Sequence, residues 1–504
     1  MKKCPKNLIL MSALIVIFGL IPAGPVLGQT FTTLHDFNGF LGAYPYAGLI
    51  LSSNLLYGTA SNGGGADGPG AVFAIQPDGA SFTNLHPLTA SDGAQPYAAL
   101  ILAGDTLYGT TSGIGNYGTN GNGTVFAIKT NGTGYRTIYS FTALDPNYYT
   151  NRDGKSPRGS LVLLDNRLYG TASAGGALGK GTVFAVNTDG KGFTNLHSFK
   201  GPSGSAANND GGGPNARLVL AGNALYGTTA FGSGFDNGTV FKINTDGTGY
   251  TNLHNFAPLS YNGVIDVFTN ADGANPFAGL ILSGDILYGT ANNGGTAGSG
   301  TVFALNTNGT GFTTLHSFAP VSHFAPFVNS DGSQPYASLI LSSGTLYGTA
   351  AYGGASANGT VFAVRTNGAG FTLLHTFTQL EKTYSANTGE AYYTNTDGAI
   401  PFAELTLSGN ILFGTANQGG ASGAGTVFSL SLPLPQLTIA RSGTDVVLTW
   451  PAEVIEFALQ STTNLTIPED WAPVPQRAVT NGGAQISVTI PAITGPKFFR
   501  LKSQ

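Results

Sequence analysis

Four short phrases recur in a fixed order along this chain, and the order is out of step at its two ends. The first phrase is Pro-aromatic-small-x-Leu-Ile-Leu, as at 45–51. The second is Leu-Tyr-Gly-Thr, once written Leu-Phe-Gly-Thr, with its glycine at Gly58, Gly109, Gly170, Gly227, Gly289, Gly348 and Gly414. The third, Gly-Thr-Val-Phe or a close variant, ends at Phe73, Phe126, Phe184, Phe241, Phe303, Phe362 and Phe428. The fourth, of the type FTNLHSF, starts at Phe31, Phe82, Tyr135, Phe193, Tyr250, Phe312 and Phe371. Each phrase is rich in β-branched and aromatic residues and is bounded by Gly, Asn, Asp or Pro, so each reads as a strand. Turns such as NTDGKG join the third phrase to the fourth, where Asn, Asp and Gly accept positive φ. Four antiparallel strands per unit, repeated seven times, predict an all-β fold: a seven-bladed β-propeller over 29–432.

The ends fix the closure. A fourth-type strand at 31–37 precedes any first-type strand, and the last unit stops after its third phrase. The N-terminal strand is therefore expected to complete the last blade, which removes the open edges of a terminal sheet. After Pro433 and Pro435 the pattern changes. Residues 437–504 hold both tryptophans, Trp450 and Trp471, among alternating runs that predict a small β-sandwich.

Charged residues make up only 9% of the chain, against about 25% in ordinary soluble domains. Glycine, asparagine, serine and threonine carry the polarity instead. Residues 1–28 place Lys2, Lys3 and Lys6 before an apolar run and small residues, the layout of a secretory signal. Its removal would leave a chain without cysteine and three charges more acidic than the −4 of the whole. That excludes disulfides and thiolate metal sites. It also leaves no basic stripe for nucleic acid and no membrane span in the mature chain. A secreted, extracellular or cell-surface monomer is expected, with the periplasm as the alternative.

The phrases LYGTASNGG, GTVFAVNTDG and FTNLHSF resemble the Gloeobacter/Verrucomicrobia tandem-repeat family over about 31–430. The tail around DVVLTWPAEVIEFALQSTTNL is similar to an immunoglobulin- or fibronectin-like module that closes many exported verrucomicrobial proteins. The resemblance implies export and a propeller, with C-terminal sorting anchors that differ between members. It implies no reaction.

Function has then to lie where the repeats differ. Six histidines, His35, His86, His197, His254, His316 and His375, share one place in the outer strand, with Tyr139 there in the second unit. Three strand spacings, roughly 14 Å, separate outer from inner strands, so these rings cannot converge on one metal. Hydrogen bonds to neighbouring Thr, Ser or backbone are the expectation. Asp-Gly turns at Asp92, Asp153, Asp210, Asp272, Asp331 and Asp397 are calcium candidates if backbone carbonyls complete a shell. Capping of their own turns is the simpler expectation. No other cofactor is called for.

The longest connections, 142–156, 257–275, 319–334 and 378–400, leave the same face as the Gly-rich loops. They carry Tyr148, Tyr149, Tyr261, Phe324, Phe327, Tyr384, Tyr392 and Tyr393 among Asn, Ser and Asp. Such aromatics suit sugar rings, whose apolar faces stack while hydroxyls hydrogen-bond; the alternative is that they pin the loops to the body. The fourth residue of the inner-strand phrase is small in five units but Arg217 and Glu404 in two, which suggests a pair or a polar ligand site in the central channel. The expected function is non-enzymatic binding of, or scaffolding on, a glycan or other surface polymer. The alternative is a polysaccharide-active hydrolase or lyase, for which Glu381 and Glu390 are the one carboxylate pair at hand. No serine elbow, metal signature or nucleotide fingerprint demands catalysis.

Overall fold

The computed structural model describes residues 29–64, 68–113, 121–200, 210–232, 236–384, 389, 391–433, 436–451, 457–464, 471–475, 479–481, 485–491 and 497–503. The expected signal at 1–28 and Glu390 lie outside the described residues.

Every repeat follows one design, and the unit around Gly289 shows it. Strands Ile281–Ser283, Ile286–Ala291, Thr301–Asn306 and Thr313–Ser317 pair antiparallel in sequence order. Gly289 faces Phe303 across the ladder. A Cβ on Gly289 would stand 2.6 Å from the Phe303 ring and 2.8 Å from Leu280, so only glycine lets that phenylalanine lie flat over the strand. The outer strand carries a one-residue bulge, because Val302 pairs with His316 but Phe303 pairs with Thr314. Leu287, Val302, Phe303 and Leu305 are fully buried.

The same four-stranded sheet recurs from Ile50–Ser52 to Phe82–Pro87, from Ile101–Ala103 to Arg136–Ser140, and from Val162–Leu164 to Thr194–Ser198. It recurs again from Val219–Ala221 to Thr251–Asn255 and from Ile340–Ser342 to Thr372–Thr376. In the last sheet Thr406–Ser408, Ile411–Ala416 and Thr426–Ser431 take their fourth strand from Phe31–Asp36, with Thr33 opposite Phe428. No helix occurs among the described residues.

Three contacts tie each sheet to the next, and all three use the repeated phrases. The threonine of Leu-Tyr-Gly-Thr donates its hydroxyl to the following inner strand, as Thr290 does to Pro335 O at 3.1 Å and Ala337 O at 3.2 Å. The glycine of Gly-Thr-Val-Phe leaves room for the next proline; a Cβ on Gly300 would sit 2.6 Å from Pro335 Cδ. The ring at the histidine position stacks on the next fourth-phrase aromatic, as His316 does on Phe371 at 3.8 Å.

These contacts also run from the last sheet to the first. Thr415 donates to Ala47 O at 3.1 Å, and Gly425 approaches Pro45 Cδ as its counterparts do. Phe31, in the last sheet, stacks on His375 at 3.9 Å, while His35 stacks on Phe82 at 3.8 Å. The Leu-Tyr-Gly-Thr tyrosines belong to the same masonry, Tyr57 packing with Leu100, Leu107 and Phe126 of the neighbouring repeat. The arrangement is propeller-like.

Beyond the repeats, Thr438–Ser442, Asp445–Pro451, Gln485–Ile490 and Val479–Asn481 form one sheet, and Ala472–Pro473, Phe457–Thr462 and Phe498–Ser503 another. Leu448, Trp450, Val488 and Ile490 of the first pack with Leu459 of the second.

Two sequence expectations need correction here. Five of the six outer histidines direct Nε2 at an aspartate instead of Thr, Ser or backbone. Their Nε2 atoms meet the carboxylates of the Asp-Gly turns: His86–Asp92 at 3.2 Å, His197–Asp210 at 2.9 Å, His254–Asp272 at 3.0 Å, His316–Asp331 at 3.0 Å and His375–Asp397 at 2.9 Å. In the second unit Tyr139 donates to Asp153 at 2.7 Å. Nor do most of these aspartates cap their own turns. They accept from backbone N–H groups at the start of the connection, such as Ala319 N to Asp331 at 3.0 Å. Capping falls to the asparagine two residues earlier: Asn329 Oδ1 accepts from Gly332 N at 2.9 Å and from Gly354 N at 2.7 Å. The reason is reach. The aspartate lies under the outer strand of the preceding sheet, where the bulge has turned the histidine toward it. Among the described residues no group of three or more His, Cys, Asp or Glu is placed to hold a metal ion.

Candidate binding site at the axial mouth

The second residue of each inner-strand phrase points into one shared cavity. Tyr46, Tyr97, Arg158, Asn215, Phe277, Tyr336 and Phe402 line about 430 Å³, one residue from each repeat sheet. The proline before each and the alanine or glycine after it fix why. Proline docks against the previous sheet, and the small residue lets the inner strands crowd together.

Five of the seven rings and chains form an aromatic collar. Tyr97 stands edge-on to Tyr46 at 4.7 Å, Tyr46 stacks on Phe402 at 4.9 Å, Phe402 meets Tyr336 edge-on at 5.1 Å, and Tyr336 tilts against Phe277 at 5.4 Å. Such offset and edge contacts are the favoured geometries of paired rings. Arg158 closes one end, its Cζ 5.3 Å from the Tyr97 ring centre. Asn215 spends one N–H on Gly213 O at 2.9 Å. Burial raises the phenol pKa of Tyr46, Tyr97, Tyr336 and the adjacent Tyr352 above the ordinary tyrosine value. The hydroxyls therefore stay neutral, able both to donate and to accept.

A smaller cavity of about 110 Å³ is lined by the collar residues and the two that follow each of them. There Arg217 Nη1 lies 3.2 Å from Glu404 Oε1. Two glycines at the same phrase position make the room. A Cβ on Gly48 would fall 2.6 Å from Glu404 Cγ, and one on Gly279 would fall 2.7 Å from Arg217 Cγ. Below this bridge lies a further cavity of about 390 Å³, bordered by residues 99–101, 160–162, 217–220 and 280–282 and by Glu404.

The inner strands start on the face where the long connections and Gly-rich loops meet, and isolated bridges such as Ala274 with Asn293 bind those segments together. The mouth thus opens on the loop-rich face. Two connections expected as loops are hairpins: Ser260–Asn262 pairs with Val267–Thr269, and Glu381–Tyr384 with Ala391–Thr394. Tyr148, Tyr149, Tyr261, Phe324, Phe327, Tyr384 and Tyr393 are exposed, Phe324 at 86%, whereas Tyr392 is half-buried. None of them lines the collar cavity. Glu381 is exposed opposite Thr394 on its hairpin.

Sequence reasoning passed over the collar. The residue after the proline is aromatic in five repeats, but periodicity alone does not say which side of an inner strand faces the axis.

The fold and this site define an all-β repeat protein with an axial, aromatic-lined cavity. The chain belongs to the Gloeobacter/Verrucomicrobia repeat family, which matches residues 16–207, 146–265 and 260–392. No curated protein matches it. Among solved structures it is similar to an oligogalacturonate lyase in complex with manganese, at 11% identity and TM-score 0.44, over 81% of this chain and 97% of that one. It is also similar to a GH74 enzyme from Niastella koreensis, at 14% identity and TM-score 0.46, over 84% of this chain and 59% of that one. A third is TolB from Acinetobacter baumannii, at 12% identity and TM-score 0.34, over 63% and 62%.

Proposed function

We propose that this chain is an exported, seven-bladed propeller, closed by its N-terminal strand, that binds a glycan or similar surface polymer without turning it over. The C-terminal strands serve as an immunoglobulin- or fibronectin-like accessory module. The observation that carries the reading is the collar. Five aromatic side chains, three of them with neutral phenols, surround one cavity beside an amide and a guanidinium. Sugars need that mixture, since C–H faces stack on rings while hydroxyls pair with fixed donors and acceptors. The exposed aromatics of the long connections lie on the same face and extend the area on which a polymer could rest.

A glycan array combined with a hydrolysis screen on residues 29–504 tests this. Retention of a glycan without released sugar is expected, and Tyr46→Ala with Phe402→Ala should abolish it. Released sugar that disappears in Glu381→Gln or Glu390→Gln would replace this reading with an enzyme. Absence of any retention would remove the glycan reading altogether.

A further inference from the structure

The collar is broken on one side only. Five repeats place an aromatic residue there, whereas two consecutive repeats place Arg158 and Asn215. At that gap a second cavity of about 450 Å³ begins, and it shares Arg158, Asn215 and Phe277 with the axial cup. The groove is floored by Phe231, edge-on to Phe277 at 5.9 Å, and flanked by Lys180. Its one acid, Asp236, accepts a hydrogen bond from Gly232 N at 2.8 Å. Cup and groove together form an elongated site, each half within the size range of small-ligand pockets.

The cations of this region are not equivalent. Arg217 is neutralised by Glu404. Arg158 is exposed, and among the described residues no carboxylate lies within ion-pair distance of it. Its Cζ lies 5.3 Å from the Tyr97 ring centre, and its guanidinium borders both the cup and the groove. A planar fork of N–H groups matches a carboxylate in two parallel hydrogen bonds. The chain as a whole carries −4, so any attraction for an anion is local to this junction.

We infer that the ligand is an acidic oligosaccharide, one sugar in the axial cup and the next in the groove, with a uronate carboxylate held by Arg158. This rests on the glycan reading above and adds to it the charge and direction of the polymer.

The test uses the intact protein, a mannuronate tetramer, and the same tetramer with its carboxyl groups reduced to alcohols, compared by calorimetry at two salt concentrations. The acidic tetramer should bind at least about tenfold more tightly than its neutral counterpart, the loss expected when a charged hydrogen-bonding partner is removed. That preference should shrink with salt, vanish in Arg158→Gln and survive in part in Arg158→Lys. Arg158 is exposed, so these variants should fold, which circular dichroism would verify. Equal binding of both tetramers, or acidic binding untouched by Arg158→Gln, overturns this inference and leaves the glycan reading standing. If neither tetramer nor any neutral glycan binds, both fall together.

Discussion

Of the six outer-strand histidines, His35 alone has no aspartate beneath it. The turn that precedes the first inner strand reads LGAYP where the next repeat reads DGAQP, so Leu41 occupies the position of Asp92. His35 Nε2 is buried with no hydrogen-bond partner, and burial, opposed only by nearby Asp36, pushes its pKa below the ordinary histidine value. The sign follows directly. The unfolded chain binds the proton more readily, so His35 costs stability as pH falls through about 6.5. Leu41→Asp would supply the missing carboxylate, raise the folded pKa and convert that loss into a gain. Thermal melts at pH 7.5 and 5.5 should show a smaller drop for Leu41→Asp than for the parent protein. An equal drop would mean that His35 does not govern the acid response.

Each inner strand is shaped by the size of its axial residues, and the strands that carry Arg217 and Glu404 depend on glycine in a neighbouring one. Gly279→Ala forces a methyl group to within 2.7 Å of Arg217 Cγ and 2.9 Å of Ser338 Oγ. Overpacking of this kind costs about 1–3 kcal/mol. In an Arg217→Ala background the first clash disappears, so the cost of Gly279→Ala should fall by about half. The double-mutant cycle, read by denaturant unfolding, should therefore be non-additive. Additive costs would show that Arg217 does not lie against that strand.

At the scale of the whole molecule, stability depends on the contact between the chain's start and its last repeat. Removing 29–37 takes away the strand opposite Thr426–Ser431 and leaves its N–H and C=O groups unpaired. It also removes Phe31, which stacks on both His375 and Phe428. The truncated protein should unfold in more than one transition or associate through the open edge, as light scattering and calorimetry would show. A peptide of residues 29–38 added in trans should restore one transition. A truncated chain that melts as a monomer at the parent temperature would refute the closure.

The strands, their order and the out-of-phase ends were legible because each phrase is a local pattern: alternation, turn residues and glycines opposite phenylalanines act within one sheet. The anomaly at Arg217 and Glu404 was legible for the same reason, as a departure from a repeat. The histidine–aspartate pairs, the partnership of Gly48 with Glu404, and the aromatic collar with its gap at Arg158 and Asn215 were not. Those depend on which residues of different sheets face one another. That is decided by the outer-strand bulge and by packing between repeats about 50 or more positions apart in sequence, or at opposite ends of the repeat array.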